Sequence, residues 1–553
     1  MVTLDLSGNG ALTDASPLAA CTGLTALDLS RTGVADVSSL TACTGLTTLD
    51  LEGTRVSDED VSRLSAGLTC LDVSSTPIAD LSSLSSCTGL MALTIGFTGI
   101  VDVLPLSSRT GLNDLSLFGT PVEDVAPLAT CTGLTALDLS FKWVSDVSPL
   151  AALNGLVDLR MFNTAVSDAS CVSACTKLTL LSLEHTQVSD VSPLTACTGL
   201  TSLLLRCAPV LDASPLATLV RLIDLDLGET KVEDASPLAA CRRLVSLALD
   251  DTRVSDVSAL SALSALTELL LGNTPIADVT PLAALTGLVN LTLNGSRVAD
   301  ATPLSMCTGL VWLTLGDTQV ADATPLAALT GLVHLHLGSG PRLVDASSLA
   351  ALTGLIDLDL GTTSVSDLSP LRSLTGLTTL SLNDTKATDA SPLVACTGLV
   401  ALNLNRTAVE DVLPLATCAK LTRLEMSDTP VCDLSPLFAL SGLGHLDLSG
   451  TRVTDASLAA CTALFDLNLS RTTVEDASPL AACTRLFTLD LSYTHVSDAS
   501  PLTACARLHT IDLGNTRVTD MSFATSESFF EQVTVLGGVP PPDPLPDAAE
   551  AES

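Results

Sequence analysis

The stretch Leu24–Gly45, LTALDLSRTGVADVSSLTACTG, decides the fold, because it recurs through almost the entire chain. Its pattern is L-x-x-L-x-L-x-x-T-x-V-x-D-x-S-P-L-x-x-C/L-T-G. The next start is Leu46, then Leu68 and Leu90, and so on every 22 residues to Leu332. One 23-residue repeat leads to Leu355, and one 21-residue repeat leads from Leu443 to Leu464. With the unit opening at Met1 this makes 24 repeats, the last cut short near Phe523. The irregular lengths have local causes: SGNGALTD and GSGPRLVD each carry an extra loop residue, and DASLAAC lacks the usual Pro. The register never breaks, so residues 1–523 read as one domain.

Each position has a physical reading. Leu24, Leu27 and Leu29 follow the period-2 alternation of a short strand with one buried face. The ninth position is Thr in 19 of the 24 units; the others are Asn9, Lys142, Ala208, Ser296 and Gly340. A hydroxyl or amide there can bond the backbone where the chain leaves the strand, in its own repeat or in the next. Asp stands in all 24 units at the thirteenth position, or the fourteenth in the longer ones, from Asp14 and Asp36 to Asp498 and Asp520. It opens a segment in which Ser is expected as N-cap and Pro as first helical residue. A unit that is strand, turn, one helical turn and turn cannot bury its apolar edge alone. Such units stack into a solenoid.

Composition agrees. The 553 residues are 47% apolar but only 2% aromatic and 16% charged, too few large rings for several separate cores. The abundance of regularly spaced Leu and Val excludes disorder. No apolar run approaches the 18 or more residues of a membrane span, and MVTLDLSGNG has no signal-peptide character. A formal charge of −36 disfavours nucleic acid, whose phosphates require clustered Lys and Arg.

The repeat resembles the leucine-rich repeat, particularly the 22-residue type of bacterial internalins and of the phosphatase-regulatory leucine-rich-repeat subunit. Those use Asn where this chain uses Thr. The Thr form is similar to leucine-rich-repeat proteins of trypanosomatid parasites. The resemblance covers residues 1 to about 523 and implies an α/β solenoid, a horseshoe or superhelix. A parallel concave sheet is expected on one side, with short 3-10, helical or turn segments on the convex side. It says little about function, because the fold hosts many kinds of binding.

Thirteen of the 17 cysteines share one repeat position, Cys21, Cys43 and Cys505 among them, where eight other units carry Leu. A site that accepts Cys or Leu is buried and apolar, so these read as free thiols and point to a reducing, cytoplasmic compartment. Of the 61 acidic residues, 24 are the repeat Asp, so two thirds of the net charge belongs to one position. Turn and helix capping explains that position better than calcium binding along the edge.

Function is expected on the concave face, where the third, fifth and seventh residues of each strand vary most. At ~4.8 Å per strand that face would extend about 110 Å. Phe97, Phe118, Phe141, Trp143 and Phe162, with His185 in the next repeat, fall at the seventh to tenth positions. They are expected to form a stripe along the strand-end edge, either binding a partner or packing on itself. Asp5, Asp28, Asp50 and Asp72 occupy one position in four successive strands. This ladder either faces solvent or meets a basic partner or cations. His334, His336, Asp357 and Asp359, beside Trp312, could bind zinc or form a polar pocket, and the pocket is preferred. No nucleophile with an orienting base and no phosphate-cradling loop is seen, so no enzyme and no cofactor are expected.

The chain opens inside a repeat, so a preceding N-terminal part is expected, or else a fraying or self-pairing edge. At the other end Phe523, Phe529, Phe530, Val533 and Leu536 are expected to cover the last unit, with 524–536 as a capping segment. Residues 537–553, GGVPPPDPLPDAAEAES, read as a disordered acidic tail, more solubilising than a ligand for a polyproline-reading groove. The resulting expectation is a monomeric, non-catalytic protein-binding scaffold that meets neither nucleic acid nor membrane. The alternatives are a surface adhesin of internalin type, extracellular if an N-terminal signal precedes Met1, and a regulatory subunit docking an enzyme such as a phosphatase.

Overall fold

The computed structural model describes residues 2–141, 143–520 and 534–536. In it the third to fifth positions of every repeat form a three-residue strand, as at Ala26–Asp28, Thr48–Asp50 and Glu268–Leu270. From the second repeat on, the central Leu of these strands (Ile511 in the last) is buried, and so are the apolar residues flanking it, because they point toward the returning half of the repeat; in the first, Leu4 is half-buried. That half is a 3-10 segment of five or six residues in most repeats, for example Ser148–Ala152. In the third repeat, SDEDVSRL forms instead a short α-helix, Asp58–Val61, with Ser57 and Asp60 in a capping box.

The chain divides into two compact units, Met1–Leu288 and Val289–Ser553. In the first, strands from Thr3–Asp5 to Glu268–Leu270 pair in parallel with each central residue opposite its equivalent, Leu4 by Leu27 and Leu247 by Leu269. The second repeats this from Asn290–Thr292 to Thr510–Asp512, where Thr534–Leu536 is added in parallel with Ile511 opposite Val535. A flush parallel register follows from the near-constant repeat length, since each unit advances the backbone by one strand. Of the expected capping segment only this strand is described. Met1, Lys142, Phe523, Phe529, Phe530, Val533 and the tail 537–553 lie outside the described residues.

Two hydrogen bonds recur so often that they define the repeat. All nineteen ninth-position threonines donate their Oγ1 proton to the carbonyl three residues back, at 2.5–2.9 Å. Asn9 makes the same bond with its amide, to Leu6 at 2.8 Å. The bond therefore closes the turn within its own repeat. Twenty-one of the repeat aspartates accept, through Oδ1, the backbone N–H two residues on, at 2.7–2.9 Å. This corrects the expected cap. Asp is the acceptor that opens the 3-10 segment, Ser is its first residue and Pro its second, as at Asp146, Ser148 and Pro149. Ser loses the role because a 3-10 turn closes one residue sooner than an α-turn.

The repeated cysteines complete the buried layer. Cys43, Cys131 and Cys197 donate their thiols to Leu18, Leu106 and Val172 carbonyls of the preceding repeat at 3.2–3.4 Å. Burial pushes the thiol of Cys483, and that of Cys171 outside the repeated position, up to about 12, which keeps them protonated and unreactive.

The repeat pattern gives only a weak sign of what happens at its eighth residue. There φ is positive in every repeat, between 52° and 71°, and only five of the 24 residues are glycine. The chain reverses at this point from strand to turn. The penalty of the left-handed region, about 1–2 kcal/mol for a residue with Cβ, is met by bonds such as Phe97 N–H to the Phe118 carbonyl at 2.8 Å.

Candidate functional site

The left-handed eighth position shapes an exposed aromatic surface of the first unit. Phe97, Phe141 and His185 occupy it, whereas Phe118 and Phe162 in the intervening repeats stand at the seventh. The two kinds of position aim their side chains at one another across the strand ends. The rings form an unbroken ladder, Phe97–Phe118–Phe141–Phe162–His185, with centroids 4.9, 4.9, 4.8 and 5.3 Å apart and mostly edge-to-face. Each such contact adds about 0.5–1.5 kcal/mol beyond burial. Gly119 makes room: a Cβ there would lie 2.7 Å from the Phe97 ring. Packing on itself does not hide the ladder, for Phe97 is 60% and Phe141 44% exposed. Trp143, 79% exposed, stands with Phe141, Asn163, His185 and Gln187 around a shallow depression.

The four aspartates Asp5, Asp28, Asp50 and Asp72 are in direct register on adjacent strands. Each accepts the N–H two residues on at 2.8–2.9 Å, from Ser7, Ser30, Glu52 and Ser74. That bond gives the ladder a local structural role, which composition alone does not reveal. Burial, with a further contribution from neighbouring carboxylates, raises Asp50 and Asp72 above the ordinary carboxylate value despite these bonds.

In the second unit His334 and His336 lie opposite Asp357 and Asp359. Trp312 stacks on His334 at 4.4 Å, and His336 Nε2 meets Asp357 Oδ2 at 2.8 Å. Asp359 turns to accept the Gly361 N–H at 2.8 Å. Among the described residues no three His, Cys, Asp or Glu are grouped to hold a metal ion. The cluster is a polar, aromatic-walled surface patch.

Three further arrangements emerge only on folding. Arg206 donates to Asp226, Glu229 and Asp250 at 2.7–3.0 Å. Arg160 forms a two-pronged pair with Asp158, at 2.9 and 3.0 Å, in a shallow basin that also includes Asp114 and Asp138. Phe487 stacks on His509 at 4.9 Å beside exposed Phe465, all at the second repeat position. The shared second position was the available signal for the last, and the i, i+2 spacing on one strand was the signal for Arg160. The Arg206 bonds left none, since their acceptors lie 20–44 residues away.

Flush parallel strands backed by 3-10 segments, one per 22-residue repeat, define a leucine-rich-repeat solenoid. The chain belongs to the leucine-rich-repeat proteins. Among solved structures it is similar to the leucine-rich-repeat ectodomain of the plant receptor kinase GASSHO1/SCHENGEN3 from Arabidopsis thaliana, in complex with Casparian strip integrity factor 2. That match has 20% identity and a TM-score of 0.59, covering 95% of this chain and 71% of that one. The plant peptide hormone receptor RGFR1, in complex with RGF2, matches at 18% identity and TM-score 0.54, over 98% and 97%. An internalin of Listeria monocytogenes matches at 30% identity and TM-score 0.49, over 57% of this chain and 87% of that one. No protein-family profile and no curated protein sequence matches the chain. Among the described residues no helix is long and apolar enough to cross a membrane.

Proposed function

We propose that the protein is a non-catalytic scaffold that holds a partner protein on the exposed sheet face of its first unit and on the strand-end edge. The aromatic ladder from Phe97 to His185 carries this reading. Its rings support one another, mostly edge-on, yet Phe97 and Phe141 keep large exposed faces, a rigid apolar surface that has no local reason to be left uncovered. Covering a Phe adds about 1.5–3 kcal/mol, and a preorganised edge loses little entropy on binding. The likeness to receptor ectodomains supports interaction as the general role. The reading needs no cofactor, nucleic acid or membrane, and it takes the protein as a monomer unless its N-terminal edge pairs. Seventeen free thiols support a cytoplasmic, reducing location.

The test is affinity capture from the source cells, comparing the intact chain with a variant carrying Phe97, Phe118, Phe141 and Phe162 all changed to Ser. Circular dichroism checks that the variant is folded. A partner held by the intact chain and lost by the folded variant is expected. An unchanged partner list excludes the ladder as the site.

A further inference from the structure

The strand face beside the ladder is acidic. Over the first eight strands the outward third and fifth positions carry seven carboxylates, Asp5, Asp28, Asp50, Asp72, Asp114, Asp138 and Asp158, against one guanidinium, Arg160. Arg160 is committed to Asp158. Asp114 is left facing Asp138 and Asp158, and its carboxyl is raised by burial and then by Asp158. The aromatic ladder borders the fifth to ninth strands, so it forms an apolar rim to the acidic floor of Asp114, Asp138 and Asp158 on the sixth to eighth.

We propose that this surface binds an extended protein segment that pairs apolar anchors with Lys or Arg, the anchors on the Phe141–Trp143 edge and the cations over Asp114 and Asp138. This rests on the scaffold reading and names its partner's chemistry. A cation there relieves repulsion that Arg160 offsets only in part, and an acidic segment is repelled by it. The ladder advances in four steps of 4.8–5.3 Å. At ~3.3 Å per residue an extended segment of about six residues follows it. Such a segment is long enough to carry both kinds of side chain.

The experiment is selection from a random linear peptide library displayed on phage, against the full chain. Enriched peptides are then synthesised and measured by biosensor at low and high salt. The variants are Phe141→Ser with Trp143→Ser, and Asp114→Asn with Asp138→Asn. Asn suits Asp138, since Asn468 accepts from the Ser470 N–H as Asp138 does from that of Ser140. Expected are peptides with an aromatic or aliphatic residue close to Lys or Arg. The Ser variant should weaken them at least tenfold through faster dissociation. The Asn variant should weaken them severalfold through slower association, with a flatter salt dependence. Peptides that need the ladder but carry no basic residue, or ignore the Asn variant, overturn this inference and leave the scaffold reading standing. Peptides indifferent to the Ser variant, or no enrichment at all, overturn both.

Discussion

The guanidinium of Arg206 donates to the carboxylate of Asp250, two repeats further along the chain, at 2.7 Å. On the way it also binds Asp226 and Glu229, so one side chain ties three successive repeats. Gly228 admits it, because a Cβ there would overlap the guanidinium. Arg206→Met leaves Asp226 and Asp250 half-buried and mutually repelling, at a cost of about 2 kcal/mol. Hydrogen exchange is expected to show the loss locally, over 202–250, because solenoid stability is carried between neighbours. Unchanged protection there would exclude a structural role for the network.

The ninth-position hydroxyl makes a sharper prediction. Thr363 is buried and donates to the Leu360 carbonyl at 2.6 Å. Thr363→Val keeps the shape but strands that carbonyl, at a cost of about 1–3 kcal/mol. Thr363→Ser keeps the bond and should lose far less. Urea unfolding followed by hydrogen exchange in the second unit distinguishes the two.

At the eighth position Thr362 holds φ of 58° with a β-branched, exposed side chain. Thr362→Gly removes the left-handed penalty and gains about 0.5–1 kcal/mol net of the entropy of glycine. A raised melting temperature is the expected result. A lowered one would mean that the side chain contributes more than its backbone conformation costs.

Two sets of carboxylates give opposite responses to acid. Asp36 and Asp190 are held below the ordinary 3.8 by the N–H and then the hydroxyl of the residue two on. Their contribution is present above 3.8 and is lost as pH falls through their lower folded values. Asp72 is raised, chiefly by burial, so the protonated form is the one that the fold favours. Its contribution is present below 3.8 and is lost as pH rises through the folded value. Melting temperature is therefore expected to climb on mild acidification and to collapse below about 3.8. Asp72→Asn should raise it at neutral pH and reduce the climb. A melting temperature that falls steadily from pH 7 would refute the second half.

Much of the fold was legible in the residue order, and for local reasons. A Leu at the fourth position of every unit but the last, where Ile511 stands, marks the inward face of a strand, and Cys43 or Leu153 at one equivalent position marks an apolar site. The Thr bond needed no distant partner, since its acceptor lies three residues back. The left-handed eighth position had a weaker signal: twelve of its 24 residues are Gly, Asn or Asp, and Arg, Phe and His obscure it. The Asp cap was misassigned to Ser because the pattern does not distinguish a 3-10 turn from an α-turn.

Local residue order thus suffices for the repeat, for the strand and its buried face, and for the edge on which Phe97 to His185 stand. That these rings meet is a property of the folded chain. A seventh-position side chain on one strand reaches an eighth-position one on the next because the left-handed residue swings its side chain sideways. The joining of Arg206 to Asp250 is likewise tertiary. Strand register and the gap at Gly228 set that distance, and neither belongs to any single repeat.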